Sequence, residues 1–183
     1  MEIIYAIVIV LVILCGWLIV TYNRFIRLRN RVEEAWSDIE VQLKRRYDLI
    51  PNLVQSVKAY AMHEDSVFTK VTQARSAAMN AQTMTDHAQA ENMLTQSLKS
   101  LFAVAENYPS LQAAGNFLHL QQELTDAEDK IQASRRFYNG MTRDYNTALQ
   151  SFPNNVIAGP FGFQKKEFFD APSEAEQTPK VTF

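Results

Sequence analysis

Two hydrophobic patterns divide this chain. Residues 3–20 form 18 consecutive uncharged positions dominated by Ile, Val and Leu. As a helix they would span roughly 27 Å at 1.5 Å per residue, close to the thickness of a bilayer core. Beyond them the apolar positions Leu28, Val32, Trp36, Ile39, Leu43, Tyr47, Ile50, Val54, Val57 and Ala61 recur in steps of three or four. This is the seam of an amphipathic helix. No turn signal separates the two patterns, so membrane segment and first soluble helix are predicted to be one rod. Pro51 interrupts the seam: it removes a backbone donor and crowds the preceding turn, predicting a kink at residues 48–51 or a fresh helix capped near Asp48.

Three further helices follow. The second covers residues 64–81 with Val67, Phe68, Val71, Ala74 and Ala78 inward, its start marked by the acids of His63-Glu64-Asp65-Ser66. The third covers residues 86–107, capped by Asp86, with Met93, Leu94, Leu98, Leu101 and Ala105 inward, and Pro109 stops it. The fourth carries Phe117, Leu120, Leu124, Ala127, Ile131, Ser134, Tyr138, Met141, Tyr145, Ala148 and Phe152 in alternating steps of three and four, about five heptads. Phe152-Pro153 ends it. Short connectors favour antiparallel neighbours. The expected fold is all-α: a single N-terminal transmembrane helix followed by an antiparallel up-down four-helix bundle of two long and two short helices. The divisions read as an anchor at 1–22, a cytoplasmic bundle at 23–155, an aromatic and basic segment at 156–170, and a disordered tail rich in Pro, Glu, Thr and Ser at 171–183.

The chain has only 5 Gly and 6 Pro, which suits long helices. A net charge of −2 gives no global attraction to nucleic acid, and none is expected as a partner. The local distribution is more informative. Arg24, Arg27, Arg29 and Arg31 follow the apolar segment, whereas Glu2 alone precedes it, so the C-terminal side should remain in the cytoplasm, with the anchor in the bacterial inner membrane and a short N-terminus outside. Trp17 and Tyr22 supply interfacial aromatics, and the arginines attract anionic headgroups, making membrane lipid a partner. A cleaved signal peptide fits less well: no positive n-region precedes the run and no small-x-small site follows it. Cys15-Gly16 lacks the small preceding residue of a lipidation site, having Leu14 there. Cys15 is the sole cysteine, so no intramolecular disulfide can form.

Catalytic chemistry is hard to place. A di-iron bundle needs Glu-x-x-His pairs, but Tyr60, Met84 and Asn116 stand three residues before His63, His87 and His119. His63-Glu64 is not continued to a second histidine, there is no Gly-x-Ser-x-Gly turn, and Gly159-Pro160-Phe161-Gly162 lacks the Lys-Ser/Thr of a phosphate loop. The expectation is no enzyme, no metal, no cofactor and no catalytic residues. Three clusters remain. Lys44, Arg45 and Arg46, with Tyr47 and Asp48, spread cations around the helix beside the Pro51 disruption; they are either a solvated face or a partner or lipid contact. Tyr138-Asn139 and Tyr145-Asn146, seven residues apart, read as packing whose polar tips fix register. Phe161, Phe163, Lys165, Lys166, Phe168 and Phe169 form a hydrophobic cap on the bundle end or a surface that docks on the membrane or a neighbouring subunit.

Particular stretches carry a resemblance: Arg29-Asn30-Arg31-Val32, Glu34-Ala35-Trp36-Ser37, the long run from Gln42 through Leu49-Ile50-Pro51-Asn52-Leu53-Val54, Tyr108-Pro109, Asn116-Phe117, both Tyr-Asn pairs, Phe152-Pro153, Phe161-Gly162-Phe163 and Lys166-Glu167-Phe168-Phe169. By these the chain resembles the LemA family over nearly everything after the anchor, least in the hairpin of roughly residues 74–101. The resemblance implies an N-out, C-in bacterial membrane protein with an antiparallel helical bundle, no established activity, a structural or scaffolding role, and association with envelope maintenance or membrane proteases. The resulting expectation is a membrane-tethered scaffold that forms homo-oligomers through its long helices and aromatic segment and organises other membrane proteins. The alternative is a signal-transducing element coupled through the kink at Pro51.

Overall fold

A computed structural model describes residues 1–169; the tail expected at 171–183 lies outside the described residues. Among them the chain is all-helical, in the order α1 (Glu2–Lys58), α2 (Asp65–Met79), α3 (Met84–Ala105), α4 (Pro109–Gln112), α5 (Gly115–Gln150) and α6 (Asn155–Ala158). The apolar run and the first amphipathic seam are one 57-residue helix, and no new helix begins at Asp48. None of the most apolar 18-residue window is buried, and this helix alone among the described residues is long and apolar enough to cross a membrane.

Packing divides the described chain into two compact units. The first comprises Met1–Ser37 and Arg136–Glu167; the second comprises Asp38–Arg135 with Phe168 and Phe169. In the first, burial begins abruptly at Thr21, just past the apolar run, and continues through Phe25, Val32 and Ala35 with Tyr138, Tyr145 and Ala148 of α5. In the second, Ile39, Leu43, Ile50, Leu53 and Val57 of α1 are buried, as are Phe68 and Val71 of α2, Leu94 and Leu101 of α3, Leu111 of α4, and Ile131 of α5. There α2 packs along α3.

Several sequence expectations shift. The cap of α3 is Thr83, not Asp86: its extended backbone lets the hydroxyl accept from the Asp86 N–H at 3.1 Å, and Asp86 occupies the first turn, where the helix dipole favours an acid. Pro109 ends α3 as expected but also opens α4, because its fixed φ and missing N–H suit a first helical position. Met93 and Phe152, expected inward, are 59% and 83% exposed. The buried stripe of α3 passes instead through Ala90 and Glu91 to Leu94, Leu98, Leu101 and Ala105.

Pro51 sits inside α1, so the carbonyl of Tyr47, one turn earlier, has no i+4 donor. The chain supplies one from α2: Arg75 Nε donates to the Tyr47 carbonyl at 2.8 Å. Thus the acceptor exposed by the proline ties α2 to α1. Arg75→Ala should destabilise by about 1–3 kcal/mol by orphaning this carbonyl. The loss should shrink in a Pro51→Ala background, where alanine restores the donor. Denaturant unfolding of the four chains in detergent checks this, and equal losses in both backgrounds would refute it.

Candidate functional site

The second unit holds a cluster of charge in its interior. Arg46 of α1 and Glu91 of α3 are each 1% exposed and are paired with one another. Arg46 Nη1 also donates to Glu128 of α5 at 2.5 Å, and the Tyr47 hydroxyl donates to Glu91. Arg135 of α5 approaches Glu91 at 3.8 Å while its guanidinium lies 4.5 Å above the buried Phe169 ring. Two guanidiniums therefore face two carboxylates, which balances charges that would be very costly to bury singly.

Burial sets the protonation tendencies here. Desolvation pulls the Arg46 guanidinium below its ordinary range, against the opposing pull of Glu128 and Tyr47. Desolvation likewise pushes the Tyr47 phenol up, opposed by the charges of Arg46 and Arg135, so it remains a donor toward Glu91. Its charged groups pair with one another across α1, α3 and α5, although Arg46 Nε is buried without a hydrogen-bond acceptor. No group of three or more His, Cys, Asp or Glu suited to a metal occurs among the described residues.

A second cluster fills the first unit where α1 leaves the apolar run. Tyr22 meets the Phe161 and Phe163 rings edge-on at 5.3 and 5.6 Å, and Phe25 lies 4.9 Å from Phe163. Gly162 between these phenylalanines has φ +71°, a conformation that L side chains rarely adopt. The chain then runs along α5. Asn146 donates to the Lys166 carbonyl at 2.8 Å and accepts from the Lys166 N–H at 3.0 Å, and the Tyr138 hydroxyl donates to the Glu167 carbonyl at 3.0 Å. Lys166 Nζ lies 3.7 Å from Glu33. Burial raises the Tyr138 and Tyr145 phenols, keeping both neutral. The polar tips of the two Tyr-Asn pairs thus serve partly to hold the C-terminal segment.

The sequence-selected residues accordingly separate. Lys44 and Asp48 are exposed, Arg45 is half-buried with Glu123 at 3.7 Å, and Arg46 and Tyr47 are interior. Phe163 and Phe169 are buried, whereas Phe161 and Phe168 are 48% and 41% exposed. Lys165 is exposed and Lys166 half-buried. Of the interfacial set, Arg24, Arg27 and Arg31 are exposed, and Trp17, Tyr22 and Arg29 are half-buried. Glu91, Glu128 and Arg135 were not selected from sequence, although Glu91 falls one helical turn before Leu94 on the inward stripe.

Arg46→Met and Glu91→Leu should each destabilise by about 3–5 kcal/mol by stranding a buried partner. The double substitution should cost clearly less than the sum, because it removes both charges. Thermal unfolding of the set measures the coupling; simple additivity would contradict the pairing.

The family model described as LemA family matches residues 35–183. Magnetosome protein MamQ of Magnetospirillum gryphiswaldense is 26% identical over 191 residues, covering 90% of this chain and 70% of the relative. Magnetosome protein MamQ 1 of Paramagnetospirillum magneticum is 27% identical with the same coverage. Protein LemA of Metamycoplasma hominis is 28% identical over 156 residues, covering 85% of this chain and 71% of the relative.

Proposed function

The chain belongs to the LemA family, and from that premise we propose that it is a non-enzymatic, membrane-anchored helical scaffold that self-associates and organises other membrane proteins of the bacterial envelope. The observation that carries this reading is the continuity of α1. One helix holds an apolar window with no buried part and, further along, the interior Arg46. A tether that is also a core element suits a protein whose task is to hold things at a membrane.

Several features support the finer parts of the proposal. The long helices α1 and α5 and the shorter α2 and α3 suit an antiparallel up-down bundle at 23–155. Arg24, Arg27, Arg29 and Arg31 favour a cytoplasmic domain beneath the inner membrane, with the N-terminus outside. The interior charges engage one another, as expected of a structural cluster. Relatives named as magnetosome proteins are named for a structure they belong to, not for a reaction, which favours a structural component. Phe161 and Phe168 remain substantially exposed, and such rings offer apolar area for contact between copies.

Mass photometry of the full chain in mild detergent, over a tenfold concentration range, tests self-association. The wild type should form a discrete oligomer, weakened in Phe161→Ser/Phe168→Ser, a pair chosen because neither ring is in the core. A monomer at every concentration would remove self-association from the proposal.

A further inference from the structure

The first unit also contains an open cleft of about 630 Å³ that scaffolding does not require. Its lining includes Arg24 from α1, Arg143 and Asp144 from the end of α5, and Phe152 and Asn154 from the turn that follows. Arg24 stands four residues past Val20, about 6 Å further along the helix. With residues 3–20 in hydrocarbon, that is the depth of the phospholipid headgroups. Packing of Tyr22 against Phe161 and Phe163 brings the C-terminal segment to the same depth.

The chemistry of the cleft matches that depth. Both arginines are exposed, and neither is held in an ion pair among the described residues. A guanidinium presents a planar fork of donors that fits phosphate oxygens. Asp144 reduces the local charge to a single positive, the complement of one phosphodiester. Phe152 is 83% exposed. An aromatic ring so exposed in water gains apolar contact if it faces the glycerol and first acyl carbons of a lipid.

We propose that this cleft seats the headgroup phosphate of an anionic phospholipid, gripped between Arg24 and Arg143, with Asn154 as a further donor and Phe152 against the upper acyl chain. The site requires that residues 3–20 lie in a bilayer but does not require self-association, so it stands or falls separately from oligomer formation.

Native mass spectrometry of the full chain, from micelles holding equal phosphatidylglycerol and phosphatidylcholine of identical acyl chains, provides the test. The wild type should retain phosphatidylglycerol about tenfold over phosphatidylcholine. Arg24→Gln/Arg143→Gln should abolish that preference, whereas Arg27→Gln/Arg31→Gln, which removes the same charge outside the cleft, should preserve it. Asp144→Asn should increase retention. The proposal is overturned by any of four results: no preference in the wild type, an unchanged preference in Arg24→Gln/Arg143→Gln, an equal loss in Arg27→Gln/Arg31→Gln, or unchanged or reduced retention in Asp144→Asn. Retention of glycerol phosphate in preference to phosphatidylglycerol when the two are supplied at equal concentration would also overturn it, marking the cleft as a site for a soluble phosphate.

Discussion

Residues 3–20 present Ile, Val and Leu on every side of α1, and none of them is buried by the described residues. Each such side chain is worth roughly 1.5–3 kcal/mol when removed from water, so together they outweigh any surface interaction elsewhere. A helix satisfies its own backbone, which makes this stretch stable in hydrocarbon and unfavourable in water. The remaining arrangement follows from that requirement. Burial begins at Thr21, the Tyr22–Phe161–Phe163 cluster sits at the exit, and the exposed arginines stand where headgroups would be.

Further along the same helix the problem is reversed, because α1 carries a charge into the second unit. Arg46 is tolerable there only with its carboxylates in place, Glu91 from α3 and Glu128 from α5. Such a pairing adds little net stability over an apolar core, but it penalises any sliding of one helix past another, since a shift by one turn would strand a buried charge. The Tyr47 carbonyl, freed by Pro51 and taken by Arg75, fixes α2 in the same way. Polar contacts of high directionality thus define register in a core whose aliphatic residues alone would accept several.

Much of the fold was legible in the sequence because hydrophobic spacing is a local signal. The seam through Val32, Ile39, Leu43 and Ile50, and its counterpart through Leu124, Ile131, Tyr138 and Tyr145, locate the long helices and their buried faces. Seams tolerate a rotation of one position, which is why Leu53, not Val54, is fully buried. The candidate sites were less legible. In Lys44-Arg45-Arg46 only Arg46 lies both three residues past Leu43 and four before Ile50, so its inward placement could have been counted out. Glu91 offered the matching sign on α3. The pairing itself depends on how distant helices meet, which no local pattern encodes. The clamp of Asn146 on Lys166 was hidden for the same reason, since its partner is backbone 20 residues away.

The most direct test of the account uses the one native thiol. Cys15 is exposed on α1 in the isolated chain and lies within the apolar run. A charged, membrane-impermeant maleimide should therefore fail to label it in sealed or in opened membranes, and should label it fully once sodium dodecyl sulfate unfolds the chain. Ready labelling of Cys15 in opened membranes would place this stretch in water and contradict the anchor on which the rest depends.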